Sequence, residues 1–247
     1  MKSVKLLSLA LTGALALGAL SGCAGQTTNE TASSSSASSS AQVTASSGVE
    51  AEASQLIVDI TGEYSELFPV LFDSKYDELW LDDTAAVVGQ EKAAESVDML
   101  KSSVGGELYG DEAIAAYGEN GGSFYCGWIG DLAELSIDGG EAVISGKDTG
   151  GNELFSHTYR FVDMDGNFFV FESEDGNEDE YRYIAFLPDT PDTTHHIEFR
   201  YGSTLDGIGE MMAGPYAFWM AAGIQTDYTE QTVADAIKLF CDENLEQ

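Results

Sequence analysis

The sequence predicts a mainly β domain with flanking helices, closed as a small up-and-down barrel, behind an export segment and a tether. Three observations predict it. Six candidate strands follow one another through the middle of the chain, glycine-containing turns separate them, and only 3 cysteines occur in 247 residues. So few cysteines cannot staple a fold of this length, and its core must come from apolar burial. The content of 43% hydrophobic and 21% charged residues is that of an ordinary globular protein. Ten Lys and Arg against 43 Asp and Glu leave a formal net charge of -33. Phosphate backbones and anionic headgroups repel such a surface, which excludes nucleic acid as a partner.

The elements follow in chain order. Lys2 and Lys5 precede an apolar run from Leu6 to Leu20 that leads into Leu20-Ser21-Gly22-Cys23. As a helix this run spans about 22 Å, short of a ~30 Å hydrocarbon core, and its basic start marks an export signal over residues 1–22. Leu-Ser-Gly-Cys resembles a bacterial lipobox. The resemblance implies a diacylglyceryl group on Cys23 and a mature chain anchored by lipid on the extracytoplasmic face of the cell membrane, where several acyl chains hold and one does not. Residues 23–55 are dominated by Ser, Thr and Ala and contain no aromatic residue. Nothing in them offsets the entropy of ordering a backbone, so a flexible tether is expected, and residues 56–247 form the folded domain.

Within that domain, strands are expected over Asp131 to Ile137, Glu141 to Ser145, His157 to Asp163, Asn167 to Ser173, Glu180 to Leu187 and His195 to Tyr201. Asp138-Gly139-Gly140, Asp165-Gly166 and Asp175-Gly176-Asn177 supply the positive φ of tight hairpins. A meander of this length must hide its edges, which favours closure. Helices are expected over Gln90 to Ser102 and Glu230 to Asp242, the second with Thr229 as N-cap and Val233, Ile237, Phe240 and Cys241 on one face.

Catalytic motifs are missing from this sequence, and no enzyme is expected. There is no Gly-x-Ser-x-Gly elbow, no His-Glu-x-x-His and no phosphate loop, and Gly207-Ile208-Gly209 lacks the third glycine of a dinucleotide site. Asp163-Met164-Asp165-Gly166-Asn167 lacks the downstream Glu of a calcium loop and reads as a hairpin turn. Two of the 3 histidines are adjacent, at His195 and His196. In an extended strand His196 and Glu198 share one face, as two ligands of one ion must. Imidazole nitrogen and carboxylate oxygen both bind zinc, yet such a pair taken alone is more often a solvated strand face than a site.

The stretch Thr194-His195-His196-Ile197-Glu198-Phe199-Arg200-Tyr201-Gly202 resembles the His-x-His strand of the ZinT family. Other blocks agree in order: Asp59 to Leu71, Tyr183-Ile184-Ala185-Phe186, and Gly209-Glu210-Met211 with Pro215-Tyr216. The resemblance implies a lipocalin-like calycin barrel that binds zinc, and sometimes cadmium, outside the cytoplasm and supports uptake through an ABC importer. His196 matches the first histidine of the pair, and Glu198 stands where the second belongs. Asp189 is the nearest residue to the remaining family histidine, and His195 contributes only if a bulge turns it. Carboxylates in place of imidazoles shift preference toward harder ions such as manganese. With an ordinary imidazole value near 6.5, such a site loses affinity between about pH 7 and pH 5.

His157 is expected to be solvated or satisfied structurally. The alternative to a metal site is a barrel that binds a small apolar ligand, for which Phe168, Phe169, Phe171, Phe186, Phe218 and Trp219 offer the aromatic stock. Cys126 and Cys241 remain once Cys23 is acylated; the sequence leaves open whether they form a disulfide or stay as buried thiols.

Overall fold

The computed structural model describes residues 38–118, 121–176, 178–188 and 196–245. Three of the expected site residues, Cys23, Asp189 and His195, lie outside the described residues. Helix α1 (Ser38–Asp59) leads to strand β1 (Gly62–Glu66), followed by α2 (Leu67–Leu71), α3 (Asp77–Val88), α4 (Gln90–Val104) and α5 (Gly110–Tyr117). Then come β2 (Glu134–Asp138), β3 (Val143–Lys147), β4 (Glu153–Asp165), β5 (Phe168–Ser173), β6 (Tyr183–Phe186), β7 (His196–Gly202), β8 (Ala221–Gln225) and α6 (Glu230–Leu245). Each strand pairs with the next, and β1 pairs antiparallel with β8, so the described sheet is a closed up-and-down barrel. The expected meander is therefore closed by two strands that alternation did not mark, β1 and β8.

Alternation decides what faces inward. Phe155 and Tyr159 of β4, Phe169 and Phe171 of β5, and Ile197, Phe199 and Tyr201 of β7 meet Tyr64, Leu135, Ile137, Ile144 and Trp219 in the barrel interior. Their rings pack on one another, Phe186 on Phe199 at 5.8 Å and Tyr201 on Trp219 at 5.0 Å between centroids. On the outer face Ala222 and Ile224 of β8 lie under Leu67 and Leu71 of α2, Trp80 of α3, Leu100 of α4, and Val233 and Ile237 of α6. A third cluster joins Phe168, Val170, Tyr183 and Ala185 to Ile208 and Met220.

The turns bear out two of the three expected glycine positions. Gly166 and Gly176 adopt φ of 58° and 70°. In the β2–β3 turn the positive φ belongs to Ala142 instead, at 53°. There the Asp138 carboxylate accepts from the amides of Gly140 and Glu141 at 3.0 and 3.2 Å and sets the turn. Thr229 caps α6 as expected, its hydroxyl accepting from the Thr232 amide at 3.1 Å. Helix α1 begins inside the segment expected to be a tether, and Ala53, Ile57 and Ile60 are buried against the barrel.

Candidate metal centre

Strand β7 pairs with β8 in a register that sets His196 opposite Ile224 and Glu198 opposite Ala222. Because Ile197 and Phe199 enter the barrel, His196 and Glu198 project from its outer face, as alternation requires. The last turns of α6 lie over them. Between strand and helix is a cleft of about 70 Å³, lined by His196, Glu198 and Cys126 together with Phe68 and Leu71 of α2 and Leu239, Phe240 and Glu243 of α6.

Cys126 reaches this face through a non-local contact. The amides of Met220 and Ala222 donate to the carbonyls of Tyr125 and Cys126 at 3.1 and 3.2 Å, which lays residues 125–126 beside the start of β8. No spacing rule links residue 126 to residue 198, so their approach is not legible from the sequence alone. Burial pushes the Cys126 thiol well above its usual range, and the charge of nearby Glu198 adds to the effect. The same enclosure lowers His196 to about 4. Its imidazole is then neutral throughout the physiological range, the form that coordinates metal. The expected loss of affinity between pH 7 and 5 assumed an ordinary imidazole, and burial places His196 below that range.

Among the described residues, no group of three or more His, Cys, Asp or Glu lies close enough together to hold a metal ion. His196 and Glu198 are brought together on one face, while the placement of Asp189 and His195 lies outside the described residues. His157 points into the barrel instead, with Nδ1 at 3.1 Å from Asp175 Oδ2 and Nε2 at 3.0 Å from Asp179 Oδ2. It is buried and satisfied structurally, holding the β5–β6 connection to β4. Cys126 and Cys241 are both buried and not bonded to each other. Cys241 sits between α6 and α3, 3.4 Å from the Thr84 hydroxyl.

No described helix is long and apolar enough to cross a membrane. The chain matches no family model and no curated protein. Among solved structures it is similar to the Zn(II)-bound ZinT-like domain of Streptococcus pneumoniae AdcA, with 17% identity and a TM-score of 0.47 over 73% of this chain and 88% of that one. It is also similar to whole Zn(II)-bound AdcA from Streptococcus pneumoniae, with 17% identity and a TM-score of 0.46, and there spans only 34% of that protein's length.

Proposed function

We propose that this chain is a lipid-anchored, extracytoplasmic protein that binds a divalent cation, zinc in the first place, and supplies it to an ABC importer. One observation carries the reading: a neutral imidazole and a carboxylate stand two residues apart on one strand face and open into the same enclosed cleft. A cavity of about 70 Å³ suits an ion with little water and is far below the 300 Å³ or more of ordinary organic-ligand pockets. Asp189 and His195 complete the ligand set in this reading, and Cys23 carries the anchor. With carboxylates in place of imidazoles, manganese competes more closely with zinc, and cadmium enters on the same donors.

The barrel for an apolar ligand is the weaker reading. Phe169, Phe171, Phe186 and Trp219 fill the interior against one another, while Phe168 and Phe218 belong to separate packed clusters. Calorimetric zinc titration of the metal-free protein, of His196→Ala and of His157→Gln tests the proposal. His196→Ala should lose zinc affinity by roughly tenfold or more, while His157→Gln keeps it. Equal affinities for wild type and His196→Ala would remove the residue from the site.

A further inference from the structure

We propose that His157, Asp175 and Asp179 form a proton-operated latch. With a proton on each ring nitrogen, the imidazole clamps the connection between β5 and β6 onto β4; loss of one proton as pH rises frees one side of the clamp. The latch stands apart from His196 and Glu198 and does not depend on the zinc reading.

Two contacts define it. Nδ1 of His157 lies 3.1 Å from Asp175 Oδ2, and Nε2 lies 3.0 Å from Asp179 Oδ2. A neutral imidazole donates from one nitrogen and presents a lone pair at the other, whereas an ionised carboxylate only accepts. A ring lone pair facing such an oxygen therefore repels it. Both contacts are made together only when the three groups hold one proton more than a neutral ring and two carboxylates. Imidazole is the stronger base, so that proton sits on the ring. The His157 side chain is 7% exposed while those of Asp175 and Asp179 are 44% and 41% exposed. When the proton leaves, the ring is held and an aspartate swings out to water.

The surroundings offer the proton no other base. Strand β3 sets Ile144 opposite His157, and on β4 the rings of Phe155 and Tyr159 lie 5.6 and 6.2 Å from the imidazole. The Tyr159 hydroxyl donates to the Tyr181 carbonyl, and burial holds its phenol well above the usual range. Burial likewise pushes Tyr181 up to about 12. Arg160 and Arg182 pair with Glu172, and Glu174, Glu178 and Glu180 of the connection are exposed. Two backbone amides report on the clamp. Tyr181 N donates to Asp179 Oδ1 at 2.9 Å, and Glu174 N donates to Thr158 O at 2.8 Å.

Nitrogen-15 NMR of the full chain tests the latch, with ring-nitrogen shifts and amide hydrogen exchange followed from about pH 5 to about pH 9 for wild type and Asp175→Asn. In wild type the His157 ring should pass from two protons to one within this range. At the same step the Glu174 and Tyr181 amides should exchange roughly tenfold faster than the rise common to all amides. An asparagine side chain accepts from a ring N–H or donates to a ring lone pair, so Asp175→Asn satisfies either state and should keep both amides protected throughout. A wild-type ring that stays neutral or stays charged over the whole range would overturn the proposal. So would amides that follow one curve in the two proteins. Should the variant fail to fold, wild type alone decides: ring and amide steps at different pH would sink the latch.

Discussion

Arg200 Nε donates to the Trp219 carbonyl at 2.7 Å, so the outer face of β7 holds the chain as it enters β8. The same guanidinium donates to Ile208 O at 3.0 Å and Glu210 O at 2.7 Å, which fixes the whole connection that carries Met211. Burial lowers its value to about 10 despite the opposing charge of Asp165, so it remains a cation at neutral pH.

The first prediction follows from that geometry. Arg200→Met removes a buried donor and orphans three carbonyls, which should destabilise the protein by about 3 kcal/mol or more in urea unfolding. Arg200→Lys should recover little, because an ammonium cannot present the planar fork that reaches three oxygens. A loss below about 1 kcal/mol would mean that the apolar contacts of Ile208 and Met220 hold the connection unaided.

The second prediction concerns pH and the metal-free protein. His196 has a folded value of about 4 against roughly 6.5 in the unfolded chain, so the unfolded state takes up its proton first. Stability from this residue is therefore lost as pH falls from about 6.5 to about 4, and no further below it. Between pH 7 and pH 5 wild type should lose about 2 kcal/mol more than His196→Gln, measured by denaturant titration at each pH. Parallel curves for the two proteins would contradict an enclosed, neutral imidazole.

The third prediction isolates the helix that roofs the cleft. Thr229→Ala deletes the cap of α6 and should cost about 1 kcal/mol in thermal or urea unfolding, with Thr229→Ser close to wild type. If the alanine variant is equally stable, the cap geometry at 3.1 Å contributes nothing net.

The strands that alternation revealed are those with one wet face or an aromatic inner row; of the two it missed, β1 is five residues long and buries only Tyr64. β8 reads Ala221-Ala222-Gly223-Ile224-Gln225, with its first four residues buried on both faces. Its small residues are needed for close approach: a Cβ on Gly223 would lie 3.0 Å from Trp128 Cζ2. Helix α3 escaped because it is acidic, with Asp77, Glu78, Asp82 and Asp83, and buries only Trp80 and Thr84. Helix α1 escaped because its Ser- and Ala-rich sequence offers few large apolar residues, with Ala53 and Ile57 buried in the core and Val49 and Leu56 packed at its edge. The shared face of His196 and Glu198 was legible, since it depends only on the two-residue period of a strand. The cover of α6, the arrival of Cys126 and the drop in the His196 value were not legible, because all three arise from barrel closure between residues far apart in sequence.

The last prediction addresses the position where this chain differs from the His-x-His pattern it resembles. Glu198 lies beside His196 on the outer face, opposite the small Ala222, so an imidazole of similar volume can stand in its place. If the two side chains hold zinc, Glu198→His should tighten zinc binding by roughly tenfold, because a borderline-soft ion gains from a second nitrogen donor. Manganese binding should weaken in the same variant, since a hard ion loses an oxygen ligand. A second readout comes from Cys126, whose thiol is held up in part by the charge of Glu198. Removing that charge should lower the thiol's value and speed its alkylation in the metal-free variant. Competitive titration with both metals, together with the alkylation rate, separates the cases. Zinc affinity equal to wild type, with faster alkylation, would show that Glu198 acts on Cys126 but does not touch the ion.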